Sequence, residues 1–198
     1  ITDASTHHKY PINDFSLIPR YAVLDYRVTT GLPRHITATT GMDALTHAVE
    51  AYIGGSTTKL TRRMAETAVR LIRDNLKQAY DNGEDAKARE SMLYAAYCAG
   101  IAFTRSYVGY IHGVAHSLGG RYGVPHGMAN AVILPWFLEE YGVSCEKRLG
   151  QLARNCEIAD READDHTASE TFIRWVRELN RSMEIPETIE GIRQEDIP

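Results

Sequence analysis

The chain is poor in cysteine. Its three, Cys98, Cys145 and Cys156, are an odd number with no CxxC spacing among 198 residues. Such usage fits buried thiols in a reducing compartment and argues against a disulfide framework or a thiolate metal site. No apolar run reaches the ~18 residues a membrane span needs, and no signal-peptide pattern opens the chain. An excess of positive charge is also missing. Lysine and arginine number 22 against 26 acids, a formal net charge of −4, so neither a nucleic-acid-binding nor a lipid-binding face is expected. No repeat or low-complexity tract occurs. With 43% hydrophobic residues the chain can bury one substantial core, and a cytoplasmic globular protein is the expectation.

Two textures divide the sequence. Residues 1–34 read as a β-rich entry segment, with β-branched and aromatic residues in "YAVLDYRVTT" (21–30) and punctuation by Pro11, Pro19 and Pro33. Residues 35–198 read as a mainly α domain of about six helices by their apolar spacing. The first is expected over 39–53, with Thr39 and Thr40 as candidate N-caps and Gly54-Gly55 as its stop. Others are expected over 58–83, 85–103, about 105–122, about 127–141 with Pro135 bending it, and 169–183. The acidic stretch leading to Pro198 reads as continuing into another element, so a fragment is expected.

The chemistry gathers in two places. On the first helix Asp43 and His47 stand four apart and project from one face, with Glu50 close to the same side and Met42, Leu45, Val49 and Ile53 forming the adjoining apolar stripe. Taken alone, that is either a surface hydrogen-bonded pair or a ligand pair. The second place is "IHGVAHSLGGRYGVPHG" (111–127), which puts His112, His116 and His126 among apolar and small residues. One buried histidine can be satisfied by a carbonyl, but three in an apolar stretch beside a carboxylate–imidazole pair point to a ligand. Imidazoles with one carboxylate suit a divalent transition metal, zinc or iron(II), and not calcium or magnesium. By spacing alone, His112 and His116 would be the chelating pair.

"TGMDALTHAVEAY" (40–52), followed about sixty residues later by "HGVAHSLGGRYGVPHGMANAVILP" (112–135), resembles the two signature regions of the iron-containing (group III) alcohol dehydrogenases of the dehydroquinate synthase-like superfamily. Ala88-Arg89-Glu90-Ser91-Met92 and the "KYP" and Leu32-Pro33 texts support the match, which covers essentially the whole chain. The resemblance implies the helical, metal-binding C-terminal part of a two-domain enzyme, with residues 1–34 left from an α/β nucleotide-binding domain. It implies reduction of aldehydes or ketones, or oxidation of alcohols, with NAD(H) or NADP(H). It assigns Asp43, His47, His112 and His126 as ligands of Fe2+ or Zn2+, and places His116 near substrate and nicotinamide as the candidate proton relay. Lys9 and Leu32 resemble positions that approach the cofactor. A small alcohol or aldehyde is the implied partner, and a homo-oligomer is allowed.

The family's glycine-rich phosphate-binding segments precede the point where this chain begins, and "GGRYG" (119–123) follows a helix and not a strand. On its own the chain is therefore expected to bind little NAD and to turn over nothing. Two other classes were set against this reading. A metal-dependent phosphohydrolase would need an adjacent His-Asp pair, which the sequence lacks, and a module with a structural zinc would be richer in cysteine.

Overall fold

In the computed structural model, residues 2–6, 12 and 14–193 are described. Seven α-helices follow two short 3₁₀ turns, Phe15–Leu17 and Tyr26–Thr29. The helices are α1 (Arg34–Ile53), α2 (Lys59–Asp81), α3 (Ala86–Ser106), α4 (Tyr110–Tyr122), α5 (His126–Tyr141), α6 (Val143–Asn155) and α7 (Asp165–Ser182). Helix α1 lies at the centre, packed against α2, α3, α5 and α6. It is accordingly buried on several sides, through residues such as Met42, Leu45, Ala48, Val49 and Tyr52. The outer helices α2 and α7 each bury a single stripe, Ala65, Ala68, Ile72 and Leu76 in one and Ala168, Phe172, Val176 and Leu179 in the other.

The helical reading holds, and the β-rich entry segment does not: no strand forms among the described residues. Tyr21 and Val23 are 88% and 91% exposed, and the following residues close the Tyr26–Thr29 turn, where the Asp25 carboxylate accepts from the Arg27 backbone N–H at 3.0 Å. Aromatic and β-branched residues favour a sheet only where another strand lies alongside, and none does here among the described residues.

The start of α1 also differs from expectation. Pro33 precedes its first turn, a usual place for a residue without an N–H. Thr39 and Thr40 lie inside the helix, their hydroxyls donating back to the His35 and Ile36 carbonyls at 2.9 and 2.7 Å, the alternative open to a threonine that is not a cap. The far end is held from α6, where Arg148 donates to the Ile53 and Gly54 carbonyls at 2.6 and 2.5 Å. Helix α6 itself was not expected. Cys145, Leu149, Leu152 and Ala153 bury one face of it against α7. All three cysteines are free and buried, and burial pushes the Cys156 and Cys145 thiols up to about 12 and about 11.

Pro135 sits well inside α5 and has no N–H to give the carbonyl one turn back, that of Ala131. The buried Asn180 of α7 replaces it, its Nδ2 donating to the Ala131 oxygen at 2.7 Å. Asn180→Leu is expected to cost about 1–3 kcal/mol by leaving a buried acceptor unmet. The same change in a Pro135→Ala background, where residue 135 regains its N–H, should cost clearly less; equal losses in urea unfolding would show that the two groups are not coupled.

Candidate metal centre

Three helices bring the polar residues together. Asp43 and His47 project from successive turns of α1, His112 from the first turn of α4, and His126 is the first residue of α5. Between α4 and α5 the chain reverses at Gly123, in the left-handed region at φ 70°, before Pro125 leads into the next helix. Gly127 then lets α5 approach the backbone of α1: a Cβ there would lie 2.5 Å from the Thr39 carbonyl oxygen. Any side chain at 127 would push His126 away from Asp43.

Asp43 Oδ1 lies 3.3 Å from His126 Nε2 and 3.5 Å from His112 Nε2. One donor atom from each of these three residues falls within 4.8 Å of the others. His47 belongs to the same cluster but stands further out, with Nδ1 4.0 Å from Asp43 Oδ2. Its ring stacks between Phe103 and His112, with centroids 4.2 Å away on both sides. His116, one turn beyond His112, stacks on His126 at 5.2 Å and meets His112 edge-on at 6.2 Å. It is half-buried and thus sits at the rim of the cluster.

The outer side of the site is equally polar. The buried Glu50 faces His112 Nδ1 at 2.6 Å through one carboxylate oxygen and accepts the Ile111 backbone N–H at 2.9 Å through the other. Asn130, fully buried, donates to Asp43 Oδ1 at 2.6 Å and lies 3.1 Å from His126 Nε2. Glu50 was noted in the sequence only for the side of α1 on which it lies, and Asn130 was missed. The available signal for Asn130 was its place one turn after His126 on the same helix.

Electrostatics set the protonation of the cluster. Burial works against the Asp43 charge, but contacts with His112 and His126 and the field of His47 hold its carboxyl well below the usual range. Burial pushes His47 down to about 4 despite Asp43, so it is a neutral imidazole near pH 7. Burial would lower His112 as well, but Asp43 and Glu50 outweigh it and raise the group to about 9. His112 Nε2 is nevertheless buried without a hydrogen-bond partner. An orphaned ring nitrogen aimed at a carboxylate and a second imidazole fits a divalent metal of the zinc or iron class, for which these are ordinary donors. No cysteine joins the close donor set, unlike the usual structural zinc site.

Of the two cofactor positions, only Leu32 is among the described residues, and it falls elsewhere. Leu32 lines a separate pocket of about 120 Å³ with Thr29, Gly41, Arg89 and Met92, among others, and none of the clustered histidines forms its wall. Lys9 lies outside the described residues.

A family model described as "Fe-containing alcohol dehydrogenase family, C-terminal" matches residues 37–198. Alcohol dehydrogenase 4 of Saccharomyces cerevisiae is 41% identical over 193 residues, covering 95% of this chain and 49% of the yeast protein. The NADPH-dependent butanol dehydrogenase of Clostridium saccharobutylicum is 37% identical over 198 residues, 99% of this chain and 50% of its own length. Among solved structures, a 1,3-propanediol oxidoreductase superimposes with a TM-score of 0.83 at 38% identity, over 87% of this chain and 46% of the other. The chain thus spans about half the length of the curated relatives it matches.

A metal at His112 Nε2 must displace the proton that His112 holds below about pH 9. Zinc affinity is therefore expected to rise between pH 7 and 9, by about tenfold per unit, and to level off above. Competition against a chelator at pH 7, 8 and 9 measures this; a flat profile would mean that His112 carries no such proton.

Proposed function

Because the chain belongs to the Fe-containing alcohol dehydrogenase family, we propose that it is the metal-holding portion of a nicotinamide-linked alcohol dehydrogenase or aldehyde reductase. Asp43, His47, His112 and His126 would hold a divalent iron or zinc ion. The observation that carries this reading is the buried, unpartnered His112 Nε2 converging with His126 on the Asp43 carboxylate. When bound, the ion supplies Lewis-acid polarisation of the substrate oxygen.

The chain's own residues supply the rest. Asp43 contributes the one negative charge of the donor set, and the imidazoles contribute neutral nitrogens, which leaves a bound ion with net positive charge. Phe103, stacked on His47, covers one side of the site with an apolar ring. His116, on the exposed edge of the ring cluster, is placed to pass a proton between the substrate oxygen and solvent, and an imidazole titrates in the range this needs. A bound nicotinamide would supply the hydride acceptor for alcohol oxidation, or the hydride donor for carbonyl reduction, while the proton on the substrate oxygen would pass through His116. Lys9 and Leu32 are proposed to line the nucleotide cleft, with the remaining nucleotide contacts outside this chain. The substrate is a small alcohol or aldehyde. Three free buried cysteines support a cytoplasmic setting, and among the described residues no helix is long and apolar enough to cross a membrane.

Elemental analysis of anaerobically purified protein tests the proposal. His112→Ala and His126→Ala are each expected to empty the site, whereas His116→Ala should retain metal and lower turnover of the full-length enzyme by about 10²–10⁴-fold. Metal retained after the double His112/His126 replacement would overturn the assignment.

A further inference from the structure

We infer that Glu50 is the positioning residue of the metal centre: it fixes His112 as an Nδ1–H imidazole that presents Nε2 to the ion. The inference rests on the metal reading above and extends it to a residue that acts through a donor without being one of the donor set. Glu50 leaves α1 two turns after Asp43 and reaches the first turn of α4. There its two oxygens meet two different groups, the Ile111 N–H at 2.9 Å and His112 Nδ1 at 2.6 Å. Both the Glu50 and His112 side chains are 2% exposed, so bulk solvent has little access to these oxygens.

The chain makes room for this contact. Gly109 stands just before α4, and a Cβ there would lie 2.7 Å from the Glu50 oxygen that holds Ile111. With a carboxylate acceptor against it, Nδ1 is the protonated nitrogen, and Nε2 is left to face Asp43 with no hydrogen bond of its own. A carboxylate is required because two donors converge. Glutamine has the same shape but one oxygen, so its NH2 would oppose either Ile111 or His112. The negative charge also makes the imidazole a stronger donor, as an outer carboxylate commonly does for a ligating histidine.

A purely structural Glu50 would tie α1 to α4 and leave the ligand unchanged, and the test separates the two roles. Cobalt(II) affinity, read from the absorption of the bound ion in competition with a chelator, is compared in the unaltered chain, Glu50→Gln and Gly109→Ala, with circular dichroism confirming the fold of each. Both variants are expected to bind Co2+ about 10–100-fold more weakly. Folded Glu50→Gln with unchanged affinity would overturn the inference while leaving the metal centre intact. No Co2+ binding by the unaltered chain would remove the metal reading and this inference with it. Should Glu50→Gln not fold, the zinc-loaded unaltered protein decides by ¹H–¹⁵N spectroscopy. A slowly exchanging proton on His112 Nδ1 is expected, and a proton on Nε2 would refute the role.

Discussion

A buried carboxylate cannot be left without partners, and Glu50 has two that lie on a different helix. Removing one member of a buried charged pair typically costs about 3–5 kcal/mol, far more than a surface ion pair is worth. The contact therefore ties the start of α4 to α1: the Ile111 N–H in its first turn is met by an acid from α1, which also suits the positive end of the helix dipole. Once that register is set, His112 can face only Asp43. The close approach of α5 at Gly127 then brings His126 to the same carboxylate. The centre is thus assembled from helix-packing decisions, each fixed by a group that is costly to misplace.

A single proton tempers the charges in the cluster. Asp43 is ionised and His47 is neutral near pH 7, while His112 stands between two acids and holds a proton on that account. That proton partly offsets the charge of the acids around it. Asn130 has a comparable part on the other side, with its amide N–H turned to the Asp43 oxygen nearest both His112 and His126. Partners within the chain, with His112 Nε2 and Asn130 Oδ1 the buried exceptions in the cluster, let the fold tolerate several polar groups in a confined space.

How much of this could be read from the sequence depends on where each residue's partner lies. Asp43 and His47 were legible because both belong to one helix and the four-residue spacing puts them on one face. His112 and His126 were legible as an anomaly, polar rings in an apolar stretch, although spacing alone favoured His116 over His126 as the partner of His112. Glu50 gave only its position, because its two partners come from α4, sixty-odd residues later. The same holds for Asn130 and Asp43, 87 residues apart. Local signals failed at the start of α1, where Thr39 and Thr40 read as N-caps but lie inside the helix, a position that threonine types also allow. The sheet-forming residues of the entry segment were read correctly as types, but propensity cannot supply a neighbouring strand.

The contact between Pro135 and Asn180 bears on what the smallest working unit can be. The candidate ligands end with His126, and a minimal peptide drawn from the sequence would stop soon after α5. Yet the carbonyl that Pro135 leaves open is closed only by α7, and α7 in turn packs along α6, which holds the end of α1 through Arg148. The helix that begins with His126 and the helix that carries Asp43 and His47 are therefore braced by chain that lies outside the polar cluster. Transplanting the centre into another scaffold would mean carrying that brace as well.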